Sequence, residues 1–122
     1  MLNNIFSIIV RTIKKSFSFS GRTSRKEFVI FYLFFQLYMF LLKFISNEST
    51  ITMIVINLVI VCFGFLLLFS FFSSIVRRLH DLNASAWWLL VTFIPFGALL
   101  FFALPFKKGS SGTNKYGKPP IN

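Results

Sequence analysis

Apolar and polar positions fall along this chain in long blocks, and the longest block sets the scale. From Ile51 to Val76 there is no Lys, Arg, Asp or Glu, which exceeds the roughly 18 uncharged apolar residues that mark a membrane-spanning helix. At about 1.5 Å per residue, a helix continued to Asp81 outruns a hydrocarbon core of about 30 Å. Its last turns therefore carry Ser73, Ser74 and Arg77 into the headgroup layer. A second block, Phe28 to Ile45, is interrupted only by Gln36 and by Lys43, which can snorkel to the interface, and it predicts a span of minimal length. Ser46-Asn47-Glu48-Ser49-Thr50 between them is a polar turn short enough to make the two spans antiparallel neighbours. The third block, Ala86 to Phe106, carries Pro95-Phe96-Gly97 at its centre.

The flanks follow other patterns. Leu2, Ile5, Phe6, Ile9, Ile13 and Phe17 recur at steps of three and four, with Asn3, Ser7, Arg11 and Lys14 opposite, the pattern of an amphipathic helix lying flat on a membrane. Its cations follow the apolar residues, the reverse of signal-peptide order, so the segment is expected to stay attached. Ser24-x-x-Glu27 matches a capping box and starts the first spanning helix near Arg25. After the long span, Asn83 or Ser85 reads as a cap. The tail, rich in Gly, Ser, Lys and Pro, reads as exposed turns. The expected fold is a single all-α integral membrane domain. It comprises an N-terminal interfacial helix (1–19), spans at 28–45, 51–76 and 86–106, and an exposed basic tail (107–122).

Two forms of the third block are open. It crosses fully as a helix kinked at Pro95, or it turns back there as a re-entrant segment. Full crossing puts Lys107, Lys108, Lys115 and Lys118 opposite the basic N-terminal region, against the positive-inside tendency. Turning back puts every basic cluster on one face, but the irregular backbone must then be hidden inside protein.

Composition narrows the class. The chain has 122 residues, of which 56% are hydrophobic and 13% charged, while soluble domains carry about a quarter charged residues. Nineteen Phe exceed what a soluble interior of this length can cover. The net charge of +10 is placed beside the apolar blocks. Such charge suits anionic membrane lipids as partners, with a membrane protein or a second copy of the chain also compatible, and argues against nucleic acid. Cys62 lies mid-span as a small hydrophobe. One His and one Cys offer no metal-ligand spacing, and no cofactor motif is present.

Candidate chemistry gathers where the long span ends. Ser70, Ser73, Ser74, Arg77 and Asp81 share a helix face, with Arg77 and Asp81 at i,i+4 and Arg78 pointing elsewhere. Antiparallel packing sets Glu27 at the depth of Arg77, so Glu27, Arg77 and Asp81 are expected to form ion pairs that clasp the two helices. As a binding site, Arg22, Arg25, Arg77 and Arg78 would hold an anion or a lipid headgroup, and His80 would be a pH-sensitive member. Trp87 and Trp88 are interfacial anchors. The alternative is an oligomeric transporter or channel subunit whose serine stripe lines a path. An enzyme is not expected: His80 and Asp81 are adjacent, about 100° apart on a helix, and no phosphate loop or nucleophile elbow accompanies them.

Four blocks in order carry a resemblance. They are Phe19-x-Gly21-Arg22-x-Ser24-Arg25-x-Glu27-Phe28, then Arg77-Arg78-Leu79-His80-Asp81 with Ser85-x-Trp87-Trp88, then Pro95, and last Asn114-x-Tyr116-Gly117-x-x-Pro120. From about Phe17 to Pro120 the chain resembles the small bacterial inner-membrane proteins of the YhaH/YhaI type, a domain-of-unknown-function family. The resemblance implies a multi-pass protein of the bacterial inner (plasma) membrane, with no assigned activity and no catalytic residues. Asn83 and Ala86 stand where that family commonly has Gly, and Val29 where it often has Trp, which implies a looser turn before the third block.

Overall fold

The computed structural model describes residues 1–45 and 50–121; of the polar turn predicted at 46–50, residues 46–49 lie outside them. The chain is helical: α1 (Leu2–Lys14), α2 (Arg25–Leu41) with a short 3-10 turn (Leu42–Phe44), α3 (Ile51–Asp81), a 3-10 helix (Ala86–Phe93) and α4 (Leu99–Phe106). Two of these helices, α2 extended to Phe44 and α3, are long and apolar enough to cross a membrane. The capping box forms as the sequence predicts, with the Glu27 amide donating to Ser24 Oγ at 3.2 Å and the Ser24 amide to Glu27 Oε2 at 3.3 Å. It fixes the start of α2 at Arg25.

The register of α2 against α3 is antiparallel. Phe28 packs in one buried cluster with Ile75 and Leu79, Phe35 stacks on Phe71 at 4.8 Å, and Tyr38 Oη donates to the Ile60 carbonyl at 2.5 Å. Gly64 permits the last contact, since a Cβ there would stand 2.8 Å from the Tyr38 hydroxyl. Gln36 spends its amide on its own helix, donating to Tyr32 Oη at 3.0 Å.

The third apolar block is not one kinked helix. The 3-10 helix ends at Phe93, and Ile94-Pro95-Phe96-Gly97 closes a turn through a Gly97 amide to Ile94 carbonyl bond of 2.8 Å. Pro95 supplies the fixed φ of the second turn position, and Phe96 takes the positive φ of 66° that a type II turn requires of the third. Gly97 is held to glycine because a Cβ would run into the Val91 and Ile94 carbonyls. The chain then returns as α4, whose Leu104 joins Phe28, Ile75 and Leu79 in the buried cluster, with Phe101, Leu100 and Leu89 packed around it. The block therefore starts and finishes at the same end of α3. A proline at the second position of a turn reverses the chain where one inside a continuous helix would only bend it.

The turn before that block is tight, contrary to the expectation drawn from its missing glycines. Asn83 adopts φ 58°, its amide donates to the His80 carbonyl at 3.0 Å, and the Ala84 amide donates to the Leu79 carbonyl at 2.9 Å. These are the two bonds of a Schellman ending, and Asn is among the few non-glycine residues that visit the left-handed region readily. Ser85 caps the next element, its Oγ accepting from the Trp87 amide at 3.4 Å.

α1 docks by a face other than its apolar one. Ile8, Thr12 and Ser16 are buried against the protein, and the Ser16 hydroxyl bonds that of Ser70. Leu2 and Phe6, a quarter turn or so around the helix, remain exposed. Phe17 continues that apolar edge onto α3, its ring 5.6 Å from that of Phe69.

Candidate functional site

Four charged residues are buried as completely as the apolar core. Arg78 is 0% exposed, Arg77 2%, Asp81 3% and Arg22 8%. Three arginines each fasten one length of backbone to the end of α3. Arg77 holds the exit of α1: its guanidinium donates to the Lys15 carbonyl at 2.7 Å, the Ser18 carbonyl at 2.6 Å, Thr23 Oγ1 at 3.1 Å and Ser73 Oγ at 2.6 Å. Arg78 holds the returning end of the third block through the Leu104 carbonyl at 3.1 Å and the Lys107 carbonyl. Arg22 holds the tail, donating to the carbonyls of Ser110 and Gly112, each at 2.6 Å, and of Gly117 at 3.3 Å. A guanidinium suits this task because its five N–H donors are spread in one plane and stay charged.

Asp81 is the shared counter-charge. One oxygen accepts from Arg22 at 2.8 and 2.9 Å, and the other pairs with Arg78. This corrects the pairing expected from helical spacing. Arg77 and Asp81 share a face at i,i+4, but Arg77 is drawn to the Lys15 and Ser18 carbonyls of the α1 exit, and Arg78 at i,i+3 reaches the carboxylate instead. Glu27 is not on Arg77 either; it pairs with Arg11 of α1 at 3.1 Å. α1, packed over that part of α2, puts a cation nearer to it than the end of α3 does.

The tail departs from a string of exposed turns. Its lysines are exposed, yet its backbone is pinned to α3. The Ser110 amide and hydroxyl donate to the Asp81 carbonyl at 2.8 and 3.0 Å. Asn114 Nδ2 donates to the His80 carbonyl at 2.9 Å, and Tyr116 stacks on His80 at 3.9 Å. The Ser110 bonds satisfy the Asp81 carbonyl at the helix end, and Asn114 adds a second donor to the His80 carbonyl that the Asn83 amide already bonds. Gly109 is required where the tail crosses Asp81, because a Cβ there would overlap the carboxylate. The roles of Thr23, Gly109 and Ser110 were not signalled by any local pattern.

His80 and Asp81 diverge, as adjacent helical residues must. His80 Nδ1 stands 3.2 Å from the Gly21 carbonyl, while Asp81 faces the arginines. Of the proposed ligand donors, Arg22, Arg77 and Arg78 are buried and occupied by protein groups. Arg25 is exposed at the start of α2, and the Trp87 and Trp88 rings are exposed at the start of the 3-10 helix. The serine stripe is closed over by the α1 exit: Ser73 Oγ donates to the Lys15 and Ser18 carbonyls at 2.9 and 2.7 Å.

Beside the bolted cluster lies a groove of about 720 Å³. Val29, Ile30 and Pro105 form its apolar part, and the exposed side chains of Arg25, Lys26 and Lys108, in no ion pair or hydrogen bond among the described residues, line it with positive charge.

Apolar helices closed at one end by buried arginines define a small helical integral membrane protein. The chain belongs to the family described as protein of unknown function (DUF805), which matches residues 16–118. It is 30% identical over 121 residues to the inner membrane protein YhaH of Escherichia coli K12, covering 91% of this chain and 93% of that one. To the inner membrane protein YhaI of the same strain it is 31% identical over 113 residues, covering 88% and 90%. No solved structure matches the chain. The relatives and the two apolar helices make it an inner-membrane protein.

Proposed function

We propose that this protein binds the phosphate of an anionic membrane lipid in the groove between the start of α2 and the tail, and does so without catalysing a reaction. The observation that carries this reading is the chemistry of the groove. Arg25, Lys26 and Lys108 are uncommitted over an apolar floor of Val29, Ile30 and Pro105, which suits a phosphate above and acyl chain below. Clustered cations at a membrane surface attract anionic lipid by about 1 kcal/mol each. The buried Arg22 and Arg78 frame the groove, and the exposed Arg25, Lys26 and Lys108 contact the ligand.

In this reading α2 and α3 span the bilayer, the Pro95 hairpin enters it and returns, and both termini share the cytoplasmic face. The support is that Lys107 lies at Arg78 and the tail at His80 and Asp81, which agrees with the positive-inside tendency. A reporter fused after Asn122 is expected to read cytoplasmic; a periplasmic signal rejects the topology. The transporter alternative lacks its motive, since the serine stripe is covered by the α1 exit.

Lipid preference tests the binding. In nanodiscs the wild type is expected to enrich phosphatidylglycerol over phosphatidylcholine, and the triple variant Arg25→Gln, Lys26→Gln, Lys108→Gln to lose that enrichment. A wild type without preference, or a triple variant that keeps it, rejects the proposal.

A further inference from the structure

Resting on that lipid reading, we infer that the ligand is a lipid whose single headgroup carries two phosphates. A second cavity, of about 300 Å³, lies on the other side of the start of α2, and Ser24 and Lys26 line both. One headgroup laid across Ser24 and Lys26 reaches into each. The second cavity has its own donors for an anion. Arg11 spends only Nη1 on Glu27, which leaves Nε and Nη2, and the exposed Asn4 side chain lies on the same wall. Ile8 and Ile121 supply apolar surface there, as Val29, Ile30 and Pro105 do in the larger groove.

Charge complementarity points the same way. The exposed cations around the two cavities are Arg11, Arg25, Lys26 and Lys108, and Glu27 offsets one of them. A lipid with one phosphate leaves a surplus of positive charge in the headgroup layer, whereas two phosphates neutralise most of it. Two linked phosphates also bind as one ligand, the second docking at the high effective concentration set by the first.

The test uses the intact protein in phosphatidylcholine nanodiscs doped, at equal lipid phosphate, with phosphatidylglycerol or with cardiolipin, and bound lipid is read by native mass spectrometry. Cardiolipin is expected to saturate the wild type at about tenfold lower phosphate concentration or less. Asn4→Ala with Arg11→Gln is expected to shrink that advantage to below about threefold while phosphatidylglycerol binding stays unchanged. Both positions are exposed, and an unchanged melting curve shows that the variant is folded. Equal binding per phosphate, or an advantage that survives the double variant, overturns the two-phosphate inference and leaves the groove reading standing. Binding of neither lipid overturns the groove reading itself. Displacement of cardiolipin by soluble glycerol bisphosphate at matching concentration overturns the assignment to a lipid, because the acyl chains would then contribute nothing.

Discussion

The two halves of α3 obey opposite rules. Between Ile51 and Leu66 no residue is buried, and Ile54, Leu58, Val59 and Phe65 are each more than half exposed. Between Ser73 and Asp81 every residue is buried, and most of them are polar or charged. The first half is held in place by hydrocarbon, which asks only that side chains be apolar and the backbone satisfied within the helix. The second half is held by directional bonds to three segments of backbone. The lesson is that this protein is ordered by its polar end, and its apolar end is a solvent match.

Substitutions at the two ends should separate these regimes. The largest effect is expected for Asp81→Ala, which leaves Arg22 and Arg78 buried without their counter-charge, at a cost of about 3–5 kcal/mol. Equilibrium unfolding in mixed micelles measures it, and a loss below about 1 kcal/mol would mean that the backbone carbonyls alone satisfy both guanidinium groups. Next comes Gly109→Ala, whose Cβ must displace the tail or the Asp81 carboxylate, at about 1–3 kcal/mol. Trypsin should then cut faster after Lys115 than in the wild type; an unchanged rate would show that the tail is not anchored there.

Smaller effects are expected toward the apolar end. Tyr38→Phe removes the bond to the Ile60 carbonyl, a carbonyl that keeps its place in the helix, and should cost about 1 kcal/mol in the same unfolding experiment. Val59→Leu, on a side chain 63% exposed, should change stability by less than about 0.5 kcal/mol. If Val59→Leu proved as damaging as Gly109→Ala, the outer half of α3 would be a packed interface and the contrast would fail.

Much of the local structure was legible in the chain. The Ser24 to Glu27 capping box, the break at Pro95 and the two long spans each depend on residues a few positions apart, where spacing fixes geometry. Helical spacing misdirected the ion pairs because it treats a side chain's own helix as its whole environment. Arg77 and Asp81 sit well for each other, but Arg77 meets the Lys15 and Ser18 carbonyls, and Asp81 meets Arg22 from far along the sequence. The tail's Gly, Ser and Lys predict exposed turns, because composition does not distinguish free turns from turns pinned through their backbone. The groove was hidden for the same reason: Arg25, Lys26 and Lys108 come together only after Arg22 and Arg78 have drawn in the chain around them.

The sequence by itself determined that most of this chain rests in hydrocarbon and where each apolar block begins and ends, because transfer from water to lipid is a sum over side chains and needs no knowledge of neighbours. Which arginine takes which carbonyl, and which cations are left to meet a ligand, was decided only by the tertiary structure. A guanidinium is satisfied by whatever acceptors arrive within about 3 Å, and arrival depends on the path of the whole chain.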